Sequence, residues 1–417
     1  MTFEKITYVL RKHRCYTVIV CSFCVITFQK KLCAETVTSH VIKPYAESTL
    51  KYDANLLRLP KNYTPEMSGD KTRISDFIKQ VRVGAAVKWK ISQQELIADV
   101  SVNRNWFDNF NILDYTGYDL FGLWNWTVGR KLKGDFSYNH SFNLGGFQQI
   151  NRLLNNFVNQ EQAVARVSYE ILPDWYLHSG FFYDYTHFPG ELRQESDLIS
   201  TTKQFGLRYE NELNNSVDLY IKLEHGKYPN RDINSLLGNK YIRTDYLLRG
   251  VWNYSVKTRI RAEIGYISQE FPNMEARNFS NIVANVDILW QPTVKSKLLI
   301  EAWRNVSSLN NVTASFSLNQ GVRVTPTWTW SETPKLQLEL PTEYELQNSV
   351  MNSDPAEITN NIFFPNATQF SSSLNINYEP IANIKIKAFA TYESRSADDP
   401  SSNYQDHLFG ILVQGSF

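Results

Sequence analysis

Beyond residue 40 the chain repeats one pattern: apolar and polar side chains alternate with a period of two. Val81, Val83, Ala85, Val87, Trp89 and Ile91 alternate with Arg82, Gly84, Ala86, Lys88 and Lys90. Val217, Leu219, Ile221 and Leu223 alternate with Asp218, Tyr220, Lys222 and Glu224. Ile260, Ala262, Ile264 and Tyr266 alternate with Arg259, Arg261, Glu263 and Gly265, and Ile384, Ile386, Ala388 and Ala390 with Lys385, Lys387, Phe389 and Thr391. Successive strand residues point to opposite faces, so each such segment makes a strand with one apolar and one charged face. No helical periodicity interrupts the series. The connections alternate too. Short turns at 92–94, 129–131, 172–175, 212–215, 255–257, 291–295, 331–334 and 379–383 are separated by longer polar links such as 144–159, 187–201, 226–242, 306–318, 348–367 and 394–404. One short-turned rim and one long-looped rim is the plan of an outer-membrane barrel.

Eight short-turned hairpins run from 80–103 to 368–393, with one strand before them (45–53) and one after (404–417). The expected fold is therefore all-β: a single antiparallel transmembrane outer-membrane β-barrel of about 18 strands. The first strand has the faintest pattern, so 16 stays open. Segment 59–79 reads as the first long loop. Pro326 and Pro341 fall within strands, and proline donates no ladder bond, so each requires a bulge or an early strand end.

A β-sandwich also alternates, but it needs a shared apolar core and polar outer faces. Here the polar face carries charges of both signs in nearly every strand. Trp124, Trp126, Trp175, Trp252, Trp290, Trp328 and Trp330 lie beside short turns, as an interfacial belt would place them. Closure removes the unpaired edges that hydrocarbon would not tolerate. The apolar face then meets outer-membrane lipid, and the charged face lines a wet interior.

The N-terminus stands apart. Lys5, Arg11, Lys12 and Arg14 precede a 13-residue apolar run, 16–28. That is the make-up of a signal peptide, with cleavage expected after Ala34, which divides the chain into a signal peptide (1–34) and a barrel (35–417). All four cysteines (Cys15, Cys21, Cys24 and Cys33) lie in the first part. The barrel thus has no disulfide, thiolate nucleophile or thiolate metal site. With 43 basic and 42 acidic residues in the whole chain, six basic and one acidic leave with the signal, so the barrel carries 37 against 41, net −4. Nucleic acid needs a basic excess and is excluded as a partner. No later run of 18 apolar residues could make a membrane helix.

Catalytic patterns are absent: no GxSxG, HExxH, EF-hand or Walker sequence occurs, and His140, His178, His187, His225 and His407 lack ligand spacing. No enzyme, metal or cofactor is expected. Two constellations could touch a solute. The first is the charged face: Arg82, Lys88, Lys90, Arg208, Lys222, Arg249, Arg259, Arg261, Lys385 and Lys387 set against Asp99, Asp119, Glu210, Asp218, Glu224, Glu263 and Glu339. Such a wall suits a polar solute but lacks the basic excess of a polyanion-selective pore. The second is aromatic: Tyr183 and Tyr185 run into one loop, and Tyr228 and Tyr241 flank another. These rings could stack on sugar faces or belong to the outer aromatic girdle.

The final strand, with Phe409, Ile411, Val413 and Phe417 on one face, is similar to the terminal signal of outer-membrane barrels, although Gly415 stands where an aromatic is common. More broadly, SVNRNWFDNFNILDYTGYDLFGLWNWTVG (101–129), ILPDWYLHSG (171–180), HGKYPNRD (225–232) and NFSNIVANVDILWQPTVKSKLLIEAWR (278–304) resemble, in order, the EpsL-type family of exopolysaccharide-operon outer-membrane proteins. That resemblance implies a bacterial outer-membrane barrel that helps move or assemble exopolysaccharide. It implies periplasmic and inner-membrane synthesis and export proteins as partners, and it carries no catalytic or binding residues over. The expectation is a polar passage for exopolysaccharide. The alternatives are a general or oligosaccharide-specific porin, a barrel enzyme that modifies polymer, or a plugged scaffold.

Overall fold

The computed structural model describes residues 40–417 apart from 70, 71, 149, 151, 234, 236, 309–315, 333 and 351–365. The expected signal peptide and all four cysteines lie outside the described residues.

The alternating segments become strands longer than their patterns alone suggest. They are β1 (His40–Asp53), β2 (Asp76–Ile91), β3 (Gln94–Phe107), β4 (Tyr115–Val128), β5 (Leu132–Leu144), β6 (Phe157–Leu172), β7 (Trp175–His187), β8 (Leu198–Glu210) and β9 (Ser216–Lys227). Then follow β10 (Lys240–Ser255), β11 (Thr258–Glu270), β12 (Phe279–Trp290), β13 (Ser296–Ser308), β14 (Phe316–Glu332), β15, β16 (Ala367–Ile381), β17 (Ile384–Ala397) and β18 (Tyr404–Ser416). Strand β15 consists of Lys335–Glu339 and Thr342–Val350, separated by Leu340 and Pro341. Each strand pairs antiparallel with its sequence neighbours, and β1 pairs with β18 from Tyr45↔Ser416 to Asp53↔Leu408. The sheet closes as an 18-stranded barrel.

The expectation of a bulge or an early end is met in a mild form: the strand stops at Glu339 and resumes at Thr342, and the β14–β15 register shifts between Thr329 and Ser331. Thr327 faces Glu339 and Val324 faces Thr342, so the register is the same on both sides of the gap. Only the two positions at which Pro326 and Pro341 lack an N–H drop out of the ladder. The Leu340 amide still donates to Pro326 O, and the Ser373 amide to Pro341 O. The first loop also differs: it spans 54–75, because residues 76–79 already pair in β2.

The faces are inverted relative to a soluble sheet. On β9, Leu219 is 61% exposed and Lys222 only 6%. The same inversion recurs in β2, where Val83 is 55% exposed while Arg82 is half-buried. An apolar band that faces outward on a closed, even-stranded barrel is compatible only with lipid. The exposed rings of Trp124, Trp175, Trp252, Trp290, Trp328 and Trp330 mark the short-turn rim. The protein is a bacterial outer-membrane barrel. Its short turns are tight enough to force Ser92, Asp174 and Asn214 to positive φ of 53°, 69° and 57°.

Two apolar clusters stand out. One joins Leu57, Leu59, Phe110, Leu113 and Phe147 of three loops to Ile78 and Phe107 on the inner faces of β2 and β3. The other joins Tyr220, Leu247, Ile267, Phe279, Val283, Val306 and Phe316 along β9–β14.

Candidate lumen site

Alternation assigns every charged lumen candidate to the inward face, and most of them meet a partner there. The Arg82 guanidinium lies 2.9 Å from Asp119 and the Lys88 ammonium 3.0 Å from Glu95. Asp99 accepts the Tyr45 hydroxyl at 2.9 Å. Arg208 pairs with Asp218 at 3.0 Å, Arg249 with Glu263 at 2.8 Å, and Arg261 with Asp287. Lys222 lies over the rings of Phe182 and Tyr220, and Glu224 accepts the Tyr241 hydroxyl at 2.5 Å. Lys387 sits 5.7 Å from the centroid of Phe389. Glu210 is close enough to Lys133 for their charges to interact. Lys90, Arg259 and Lys385 occupy inward positions near the short-turn rim.

These charges do not all project into water. On β7–β11 they form a packed network. Tyr220 donates to Glu263 at 2.5 Å and receives the Arg249 guanidinium at 2.5 Å. His178 and Arg208 share the two oxygens of Asp218. Gln204 faces the other ring nitrogen of His178, at 3.4 Å, so both nitrogens have polar neighbours and no hydroxyl nucleophile is bonded to this pair. Burial with extensive pairing makes this part of the wall rigid.

The aromatic candidates need correcting. Tyr183 and Tyr185 share the outward face with Phe181, which is 45% exposed, and Tyr185 stacks on His187 at 6.0 Å. They belong to the outer girdle, because they keep the parity of Trp175 along β7. Tyr241 is buried with its hydroxyl on Glu224, and the Tyr228 ring is covered by the Arg231 guanidinium at 3.4 Å. None of the four offers a free ring face to the lumen.

Loop 54–75 supplies the residue that periodicity could not reveal. Arg58 turns back at a positive φ of 56° and places its guanidinium against the inner wall. It lies 3.1 Å from Asp53, 3.0 Å from Asp406 and 3.4 Å from Glu393, above the Tyr404 ring. Burial alone would lower its pKa; Asp53, Asp406 and Glu393 outweigh that and hold it well above the usual arginine range. Asn55 braces the turn: its amide donates to Asp406 and its side chain bonds Leu59 at both N–H and C=O. The loop is thereby pinned across the inner faces of β17, β18 and β1. The only sequence signal was a lone arginine in the apolar run NLLRLP (55–60). On the opposite loops, burial pushes Arg193 down to about 10, and burial with neighbouring Arg231 does the same for Arg277.

No family profile and no curated protein sequence matches the chain. Among solved structures it is similar to the outer membrane protein OpdK of Pseudomonas aeruginosa, at 10% identity and a TM-score of 0.48, over 90% of this chain and 99% of that one. It is also similar to OccK2 (OpdF) of the same organism, solved with glucuronate, at 8% identity and a TM-score of 0.49, covering 91% and 98%. A BenF-like porin from Pseudomonas fluorescens Pf-5 gives 9% identity and a TM-score of 0.48, covering 90% and 98%. The closed 18-stranded sheet and its outward apolar band make the chain an outer-membrane barrel.

Proposed function

We propose that the protein is a passive channel for small hydrophilic solutes, with uncharged or zwitterionic saccharides of oligosaccharide size as the favoured class. One observation carries this reading: loop 54–75, locked by Arg58, lies against an inner wall on which most charges meet a partner of opposite sign or a hydroxyl donor. A paired wall offers many weak hydrogen-bonding positions and no strong trap, which favours entry without blocking release. An inward-pinned loop favours a solute over a wide polymer strand. The exopolysaccharide passage implied by the EpsL-type resemblance, with its synthesis and export partners, gains no separate support from these contacts. A pair such as His178–Asp218, held by Gln204 and Arg208, favours a structural role over catalysis.

Planar-bilayer recording of the purified protein tests the proposal. A steady open conductance with brief interruptions by a neutral oligosaccharide, and little preference between K⁺ and Cl⁻, is expected. A barrel that conducts nothing, in the wild type and in Arg58→Ala alike, overturns it. Block by long polymer but not by oligosaccharide returns the role to export.

A further inference from the structure

The wall has one lapped seam. Strand β12 pairs with β13 only from Trp290↔Leu298 to Ala284↔Arg304. Both strands continue. Strand β12 stays paired with β11 up to Gln269↔Phe279, and β13 stays paired with β14 up to Ser308↔Phe316. Among the described residues, positions 279–283 therefore have no ladder partner on the β13 side. Taking roughly 3.3 Å per residue and a tilt near 40°, the separation begins about 15 Å above the short-turn tryptophans, in the outer half of the apolar band.

Unpaired backbone at that depth must be satisfied in another way. Side chains do it at Ile282. The Ile282 amide donates to Asn281 Oδ1 at 2.8 Å, and the Ile282 carbonyl accepts from Arg304 Nε at 3.2 Å. The same guanidinium donates to Asn281 at 3.1 Å and to Gln320 on β14 at 3.0 Å. One side chain thus bridges β12 to β14 across the missing ladder.

Parity shows how the seam is sealed. Val306 and Phe316 keep the outward parity of Ala302 and Val322, yet both are 5% exposed. They pack with Phe279, Val283 and Ile267, which have inward parity. The tops of β13 and β14 therefore slip inside, so that their outer face overlaps the inner face of β11 and β12. The Phe279 and Phe316 rings meet with centroids 4.6 Å apart. Beside them lies a cavity of about 400 Å³, with these two rings together with Ser268, Ser280, Glu270 and Asn278 in its lining. The accessible lining is mostly polar, with hydroxyls and a carboxylate above the two buried rings, so it suits an uncharged, hydroxylated head and disfavours an anionic one, while the apolar lap itself suits an alkyl chain.

We infer that this seam is a lateral gate, latched by Arg304, which takes the alkyl chain of an amphipathic solute with an uncharged, hydroxylated head. The apolar lap separates by sliding rather than by breaking a hydrogen-bonded ladder, so opening costs the side-chain latch and the ring contact. The chain then passes between the lumen and the outer leaflet. This inference does not depend on the lumen route proposed above.

Photocrosslinking tests it in outer membranes. Benzoylphenylalanine at Phe316 is expected to capture an alkyne-tagged decyl glucoside saturably, with competition by decyl glucoside and none by glucose or decanoate. The same label at Phe205, a lipid-facing residue of the continuous ladder that is 62% exposed, gives unsaturable capture. Benzoylphenylalanine at Val283, behind the lap, is expected to capture phospholipid at least threefold more in Arg304→Ala than in the wild type. Folding is verified by heat-modifiable gel migration; if Arg304→Ala fails to fold, Arg304→Gln is used. Capture at Phe316 that matches Phe205 removes the binding site. Capture at Val283 that does not change in a folded Arg304 variant removes the gate.

Discussion

Arg58 meets three carboxylates from three different strands. It occupies a left-handed backbone conformation that costs a non-glycine residue about 1–3 kcal/mol. That cost is offset by three carboxylates that would otherwise face one another unneutralised. Arg58→Ala leaves Asp53, Asp406 and Glu393 buried together without their cation. The expected loss is about 3–5 kcal/mol of stability, read as a lower thermal unfolding midpoint in detergent. The same variant should release loop 54–75 and give larger, noisier single-channel currents. Arg58→Lys should recover only part of both effects, because one ammonium cannot reach three carboxylates with the guanidinium's fork. In the sequence Arg58 looked like an odd charge in an apolar loop. Its partners are up to 348 positions away, and no local pattern connects them.

At the scale of the strand, alternation was legible because lipid and lumen impose opposite demands on the two faces. Which rings pack onto which glycines was not. Gly226 on β9 faces Tyr241 on β10, and a Cβ at Gly226 would lie 2.1 Å from that ring. Glycine here is a space requirement, set by an aromatic laid flat across its neighbour. Gly226→Leu should displace Tyr241, break its bond to Glu224 and cost about 1–3 kcal/mol, measured by thermal unfolding against the wild type. Tyr241→Phe keeps the ring and removes the hydroxyl, so Glu224 is left buried with one partner fewer. Its expected cost is about 1–3 kcal/mol, and the combination of both changes should fall short of additivity because they share that contact. The aromatics at Tyr183 and Tyr185 illustrate the limit of strand-level reading. The parity that assigned Val217 and Lys222 correctly also places these tyrosines outside, but their proximity to a loop suggested a binding role.

Across the whole molecule, charge pairing sets the behaviour of the lumen. The Arg82–Asp119 pair spans three strands and is part of a wall that carries charges of both signs. Asp119→Asn leaves Arg82 uncompensated, so the zero-current potential in a KCl gradient should move toward the chloride value. Adding Arg82→Gln should bring it back toward that of the wild type. Bilayer recordings of both variants decide this, and an unchanged potential in the single variant would mean that the pair lies off the conducting path. By itself the sequence determined the class of fold and the direction of each face, and narrowed the strand number to 18 or 16, because a period of two and a membrane solvent admit few solutions. Tertiary structure alone decided how far the lumen is closed and where the wall is interrupted. Arg58 meets its carboxylates only when β1 and β18 come together, and the β12–β13 seam exists only because two hairpins that satisfy their own ladders tilt past each other. Both are long-range contacts that carry no periodic signature, so they become visible only when the barrel closes.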